Sequence, residues 1–281
     1  MFGYLKNYRR AFKAAAADRD RLSRELTCLK AGYAKAIDAG LWPHPNTMLE
    51  QQKAIERGIG PVLLATLPKS GSVYVWNALY GTYGMPGGKI AVPHSMMDEI
   101  IVEEWLRLFS AGGMIAQHHL PATENNIRLL KKYGPRKIIV QIRDPRQGAV
   151  SYWHYIVKLG HADPDIPIED REKFLWDHYL LPAREWFDGW LAVENTLDLM
   201  FSRQEDMAGN EYIHISRIAA FLDMPDKKIR LPAKGDKTHF RSGLKDEWRE
   251  FFSADFQSRA DDLLAPIDER FFGLDDARAR V

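Results

Sequence analysis

A three-layer α/β fold, with a central parallel β-sheet flanked by helices, is what this sequence predicts, and three observations predict it. From residue 61 onward, apolar β-rich runs alternate with stretches of helical spacing. The most apolar run, "RKIIVQIRD" (136–144), has the unbroken isoleucine–valine character of a strand buried on both faces, as parallel strands are. And "VLLATLPKSGSVYVWNALY", Val62 to Tyr80, reads as strand, tight loop and helix in direct succession.

Taken in order, the first 40 residues have helical spacing. Leu5, Tyr8, Phe12 and Ala15, then Leu22, Leu26, Leu29 and Tyr33, follow steps of three and four, interrupted at Arg19. The seam is heptad-like and suits either a helix packed on its own domain or one that pairs with a second copy in a homodimer. "GLWPHPN" (40–46) ends it, because two prolines and a glycine stop a helix. The expected organisation is therefore an N-terminal helical extension, 1–45, followed by one domain, 46–281. Within that domain "PVLLAT" (61–66) is a strand and Val73 to Tyr83 a helix. "GGMIAQHH" (112–119) is a short strand before a helix over 122–133. The strand 136–144 leads into a helix over 146–158. A helical region over about 170–195, a strand "TLDLMFSR" (196–203) and a helix over 211–222 follow. The polar stretch 223–243 is a long loop, and 246–264 returns to helix. The segments 83–105 and 159–170 read as loops.

Bulk properties narrow the partners. The chain has 281 residues with a net charge of +1, so there is no overall basic field of the kind that nucleic-acid binders carry. Any anion must be held by local groups. Cys28 is the single cysteine, which excludes an intrachain disulfide and makes the cytoplasm the expected compartment. The first residues carry no signal-peptide core, and no segment reaches the roughly 18 apolar residues of a membrane span.

The chemistry concentrates at two strand ends. At Pro68-Lys69-Ser70-Gly71-Ser72 the free amides of the following helix face the crevice beyond the strand, and the helix dipole favours an anion there. Lys69 adds a mobile charge and Ser70 and Ser72 add hydroxyl donors, so the loop suits a phosphate or sulfate; the bland alternative is a turn with a solvated lysine. The ATP-type loop G-x-x-x-x-G-K-[ST] is missing. The strand–loop–helix turn is P-loop-like. Arg143 closes the strongest strand, with Ser151 two helical turns later. A guanidinium there suits phosphate, or it pairs with Asp144.

PKSGS followed by "RDPRQGAVSYWHY" resembles the cytosolic-type sulfotransferase family, whose donor is 3'-phosphoadenosine 5'-phosphosulfate (PAPS). That family's signatures read approximately PKSGTTW, R-D-P-x-x-x-x-x-S and RKGxxGDWK, and its catalytic stretch is K-T-H-L-P. "FRSGLKDEWREFF" (240–252) is similar to the third, and "QHHLP" (117–121) to the catalytic stretch. The four matches stand in family order over residues 61 to about 252. The resemblance implies that Lys69, Ser70, Gly71 and Ser72 bind the 5'-phosphosulfate, with Val73 and Tyr74 beside them. Arg143, Ser151, Arg241, Ser242 and Gly243 hold the 3'-phosphate. Tyr74 and Gln204, the latter in "SRQEDM", lie near adenine. His119 is the general base and Lys69 stabilises charge on the bridging oxygen. No metal is implied. The product is adenosine 3',5'-bisphosphate, and the acceptor is a hydroxyl or amine on a small molecule or carbohydrate.

Departures from the pattern are Tyr74 for a stacking tryptophan, Val73 for a threonine, Gln117 for the catalytic-stretch lysine, Gln204 for a tyrosine and Ser242 for a lysine. Adjacent strand residues point to opposite faces, so of the histidine pair only one can enter the cleft. His119 aligns with H-L-P, which leaves His118 to packing, as His154, Trp153 and Trp76 are also expected to be. Two other readings stay open: a P-loop-like kinase or NTPase, and a non-catalytic nucleotide-binding scaffold.

Overall fold

The computed structural model describes residues 45–232 and 246–272, so the heptad-like segment 1–40 and the first part of the third motif, with Arg241, Ser242 and Gly243, lie outside the described residues. The principal sheet has four strands: β1 (Val62–Thr66), β4 (Ile115–His118), β5 (Lys137–Ile142) and β6 (Asp198–Arg203). Their order is β4-β1-β5-β6, and every pairing is parallel. From β1 the chain passes to β4 on one side, then returns to β5 on the other. The helices that follow β1 and β5 cover opposite faces, and a crevice opens beyond the strands' C-terminal ends.

Each face has its own core, dictated by strand alternation. Leu63, Ala65, Ile138, Val140 and Ala116 point to one side. There they meet Ala149, Val150 and Trp153 of the helix Pro145–Lys158, together with Trp186, Phe187 and Trp190 of the helix Leu181–Ala192. Val62, Leu64, Ile115 and Ile139 point to the other, against Val75, Ala78 and Leu79 of the helix Ser72–Tyr83 and Ile215 and Ile218 of the helix Glu211–Phe221. The central β1 is buried along its whole length. That is why its sequence runs apolar without a polar face.

Among the described residues the elements expected from 61 onward are present, with boundaries moved by at most three residues. A helix, Pro45–Glu56, begins within the expected loop 40–46, and three further regions differ. Segment 83–105 is more ordered than the loop read from sequence. It holds an antiparallel hairpin, β2 (Ala91–Ser95) and β3 (Asp98–Ile101), and the helix Glu103–Ser110. The hairpin's strands are only five and four residues long, and Pro93 sits within one of them. Asn126 ties it to the domain: its amide donates to the Glu99 and Pro121 carbonyls, and its Oδ1 accepts from Ile101 N–H. The helix expected over 246–264 is two, Trp248–Phe251 and Ala254–Ile267. Ser253 separates them by capping the second, accepting from Phe256 N–H while its own N–H and hydroxyl donate to buried Glu172. The helical region 168–192 carries a π-helical turn, Trp176–Leu180, in its middle. Among the described residues no helix is long and apolar enough to cross a membrane.

Candidate functional site

The loop after β1 is built to keep its backbone strained and fixed. Leu67 N–H donates to the Gln141 carbonyl at 2.9 Å, extending the β1–β5 ladder, and Ser70 N–H turns back to the Leu67 carbonyl. Lys69 then takes φ 66° and Gly71 φ 76°, both left-handed. For lysine that conformation costs about 1 kcal/mol or more, and it persists because the surroundings impose it. Three side chains hold the loop's carbonyls. Tyr179 Oη donates to Pro68 at 2.6 Å, Arg143 Nη1 to Lys69 at 3.2 Å and Gln141 Nε2 to Ser70 at 2.9 Å. Beyond Gly71 the helix Ser72–Tyr83 begins with no side-chain cap, so its first amides are left for a ligand. The Ser70 hydroxyl is fully buried and meets no protein partner. A Cβ on Gly71 would stand 3.2 Å from Gln204 Cδ, and Gln204 Oε1 is likewise buried without a partner. Left-handed turns, uncapped amides and orphaned polar atoms together fit an oxyanion-bearing ligand. Lys69 lays its ammonium 4.1 Å from the centre of the Tyr155 ring.

The two histidines part as alternation requires. His118 turns into the domain, where Ile90 N–H donates to its Nε2 and its Nδ1–H donates to Glu99 at 2.7 Å. Both ring nitrogens are satisfied, Nε2 by the Ile90 amide and Nδ1 by the Glu99 carboxylate. Burial pushes the Glu99 carboxyl up, but hydrogen bonds and charge from His118, with His119 N–H, outweigh it and hold Glu99 below the usual carboxylate range. His119 Nδ1 lies 2.9 Å from the Thr66 carbonyl and 3.0 Å from Thr66 Oγ1. A carbonyl only accepts, so Nδ1 carries the proton and Nε2 the lone pair. Burial pushes His119 below the ordinary histidine range. The Thr66 carbonyl and Glu99 pull it back, while His118 and the Lys69 ammonium push it further down. The backbone that follows is clamped: Trp186 and Trp190, one turn apart, both donate their indole N–H to the Leu120 carbonyl, at 2.8 and 3.0 Å.

At the end of β5, Arg143 is buried beside the loop it bonds. Asp144 caps the next helix by accepting from Arg146 N–H, with Pro145 at the first helical position. Glu205, of the short helix Gln204–Met207, accepts from Asp144 N–H at 3.0 Å. Burial raises its carboxyl above the usual range, more than that hydrogen bond lowers it. Ser151 is half-buried on the helix that Asp144 caps. Tyr74 and Val73, partly buried, occupy the first turn beyond the loop, and burial raises the Tyr74 phenol, helped by Glu211.

The structure therefore gathers Lys69, Ser70, Gly71, Ser72, Gln204, Arg143 and His119 at the C-terminal edge of the four-stranded sheet. Residues not singled out from the sequence complete it: Thr66, Glu99, Gln141 and Tyr179. A separate cleft of about 720 Å³, lined by Arg57, Thr82, Tyr83, Lys227 and Arg230 among others, lies at the opposite end of the helix Ser72–Tyr83 and takes no part.

The chain is similar to known sulfotransferases. A sulfotransferase-domain family model matches residues 111–233. Cytosolic sulfotransferase 3 of Arabidopsis thaliana is 21% identical over 277 residues, covering 80% of this chain and 83% of the relative. Mus musculus sulfotransferase 6B1 is 26% identical over 247 residues, covering 75% and 78%. A mouse sulfotransferase whose crystal structure contains PAP superposes with a TM-score of 0.52 at 16% identity, over 74% of this chain and 84% of that one, which shows a shared fold.

Proposed function

We propose that the chain, which is similar to sulfotransferases over most of its length, moves the sulfuryl group of PAPS to a hydroxyl or amine, with His119 as general base. The observation that carries this reading is the pairing of the Lys69–Gly71 loop with His119 at the C-terminal ends of the neighbouring strands β1 and β4. There Nδ1–H is committed to Thr66, and Nε2 is left to take a proton. When bound, PAPS supplies the transferable group and departs as adenosine 3',5'-bisphosphate.

The residues divide the work. Ser70, Gly71 and Ser72, with the first amides of their helix, cradle the 5'-phosphosulfate, and Lys69 leaves the Tyr155 ring to meet charge growing on the bridging oxygen. Arg143 and Ser151 receive the 3'-phosphate, with the Arg241–Gly243 motif as the rest of that clamp. Tyr74 and Gln204 flank adenine. His119 accepts the acceptor's proton at Nε2 as the acceptor attacks. Its lowered proton affinity keeps it unprotonated at neutral pH, and such a base contributes about 10²–10⁴-fold. Acceptors are small molecules or carbohydrates, and the hairpin β2–β3 stands next to the base as part of their pocket.

Thermal-shift measurements test the donor site. Adenosine 3',5'-bisphosphate at 100 times its Kd stabilises by about 2.7 kcal/mol, and ATP–Mg²⁺ does not match it. Stabilisation by ATP–Mg²⁺ alone would overturn the reading. Release of the bisphosphate from PAPS with a panel of phenols, amines and sugars then identifies the acceptor class.

A further inference from the structure

We propose that Gln141 and Tyr179 are positioning residues for the cofactor loop, turning the Ser70 and Pro68 carbonyls inward so that the peptide N–H groups behind them face the nucleotide's 5' end. The inference rests on the reading of this loop as the phosphosulfate site. In a planar trans peptide the N–H points opposite to the C=O. Fixing the Ser70 carbonyl on Gln141 therefore aims Gly71 N–H away from the core and toward the crevice. Fixing the Pro68 carbonyl on Tyr179 does the same for Lys69 N–H. Arg143 holds the carbonyl between them.

Both donors are themselves fixed in direction. Gln141 is fully buried in the middle of the sheet, where an amide is tolerated only if its bonds are made. Its Oε1 accepts the single proton of Ser202, its cross-strand neighbour in β6, at 2.6 Å. Ser202 in turn accepts from His214 Nε2–H at 2.8 Å. With that proton spent on Gln141, the chain runs one way: His214 to Ser202 to Gln141 to the Ser70 carbonyl. Tyr179 comes from the other face of the sheet. It sits in the π-helical turn Trp176–Leu180, a distortion common at functional sites. Burial raises its phenol, so the hydroxyl remains a donor. It reaches Pro68 only because residue 148 is glycine: a Cβ there would stand 2.2 Å from Tyr179 Oη. The strained loop is thus gripped from both faces by groups that do not touch the nucleotide.

Calorimetric titration of the full chain tests this, with adenosine 3',5'-bisphosphate and adenosine 3'-phosphate as probes. Tyr179→Phe and Gln141→Met are each expected to weaken the bisphosphate about tenfold, the loss of a hydrogen bond's worth of ordering. Neither change is expected to alter the affinity for the 3'-phosphate, which lacks the group the loop holds. An equal loss for both nucleotides, or an unchanged bisphosphate affinity, overturns the proposal. If Gln141→Met does not fold, Tyr179→Phe decides alone, since it keeps the ring and removes only the hydroxyl. If the parent chain takes up no bisphosphate, it is the PAPS reading that fails.

Discussion

His118 and His119 carry the same ring to different ends, and the partners of each nitrogen decide which is which. His118 spends both nitrogens on Ile90 and Glu99, whereas His119 spends one on Thr66. His119→Ala is accordingly expected to cut turnover by about 100-fold or more while bisphosphate affinity stays at the parent value. His118→Ala should instead lower stability by about 2–4 kcal/mol, because it leaves the Ile90 amide unpaired and takes from Glu99 its side-chain partner; chemical denaturation reads that directly. The pH dependence follows from the same geometry. A base works unprotonated, and His119 is held below its ordinary value. The acid limb of the rate profile should therefore have its midpoint below about 6.5, and a midpoint above that value would contradict His119 as the base. At this scale the sequence is legible where alternation acts, since neighbouring strand residues must diverge. Thr66 and Glu99 escaped because nothing local marks them. A threonine at a strand end is ordinary, and Glu99 reaches the pair from a hairpin about twenty residues upstream.

Elements repeat the lesson with different physics. Strands β1 and β5 and the helices after them are readable because burial on both faces forces unbroken apolar runs. The hairpin β2–β3 is not, since its strands are too short for alternation to register. Gln141 did carry a signal: it is the lone amide within "KIIVQI", and a buried polar group demands partners. What could not be read was where the partners lie, because Ser202, His214 and Ser70 come together only through strand order. Gly148 is similar, a helical glycine whose purpose appears only when Tyr179 is placed against it. Gly148→Ala should destabilise the protein by about 1–3 kcal/mol through overpacking, despite alanine's better helix propensity. Adding Tyr179→Phe should restore part of that loss, and a double-mutant cycle in urea measures the coupling.

For the whole molecule, Arg146 joins segments far apart in the chain. Its guanidinium, 7% exposed, bonds Asp144 just after β5 and Asp261 and Asp268 near the C-terminal end of the described chain, and lies 4.8 Å from the Trp248 ring. Arg146→Met leaves these carboxylates facing one another and should cost about 3–5 kcal/mol in global unfolding. Acid sensitivity has a separate source. Burial, aided by Arg217, holds His214 below its unfolded value of about 6.5, so the stability it contributes is complete above that pH and is lost as pH falls through it. Between pH 7.5 and 5.5 the parent should lose more urea resistance than His214→Gln, which keeps a donor for Ser202 but does not titrate. The Glu99 contact has an engineering consequence. The hairpin β2–β3, proposed to border the acceptor, also supplies the carboxylate that His118 and the His119 amide lean on. On the proposed reading, exchanging this segment to change what is sulfated would also remove a support of the proposed base. A graft must bring its own acid at position 99, or selectivity will be gained at the expense of rate.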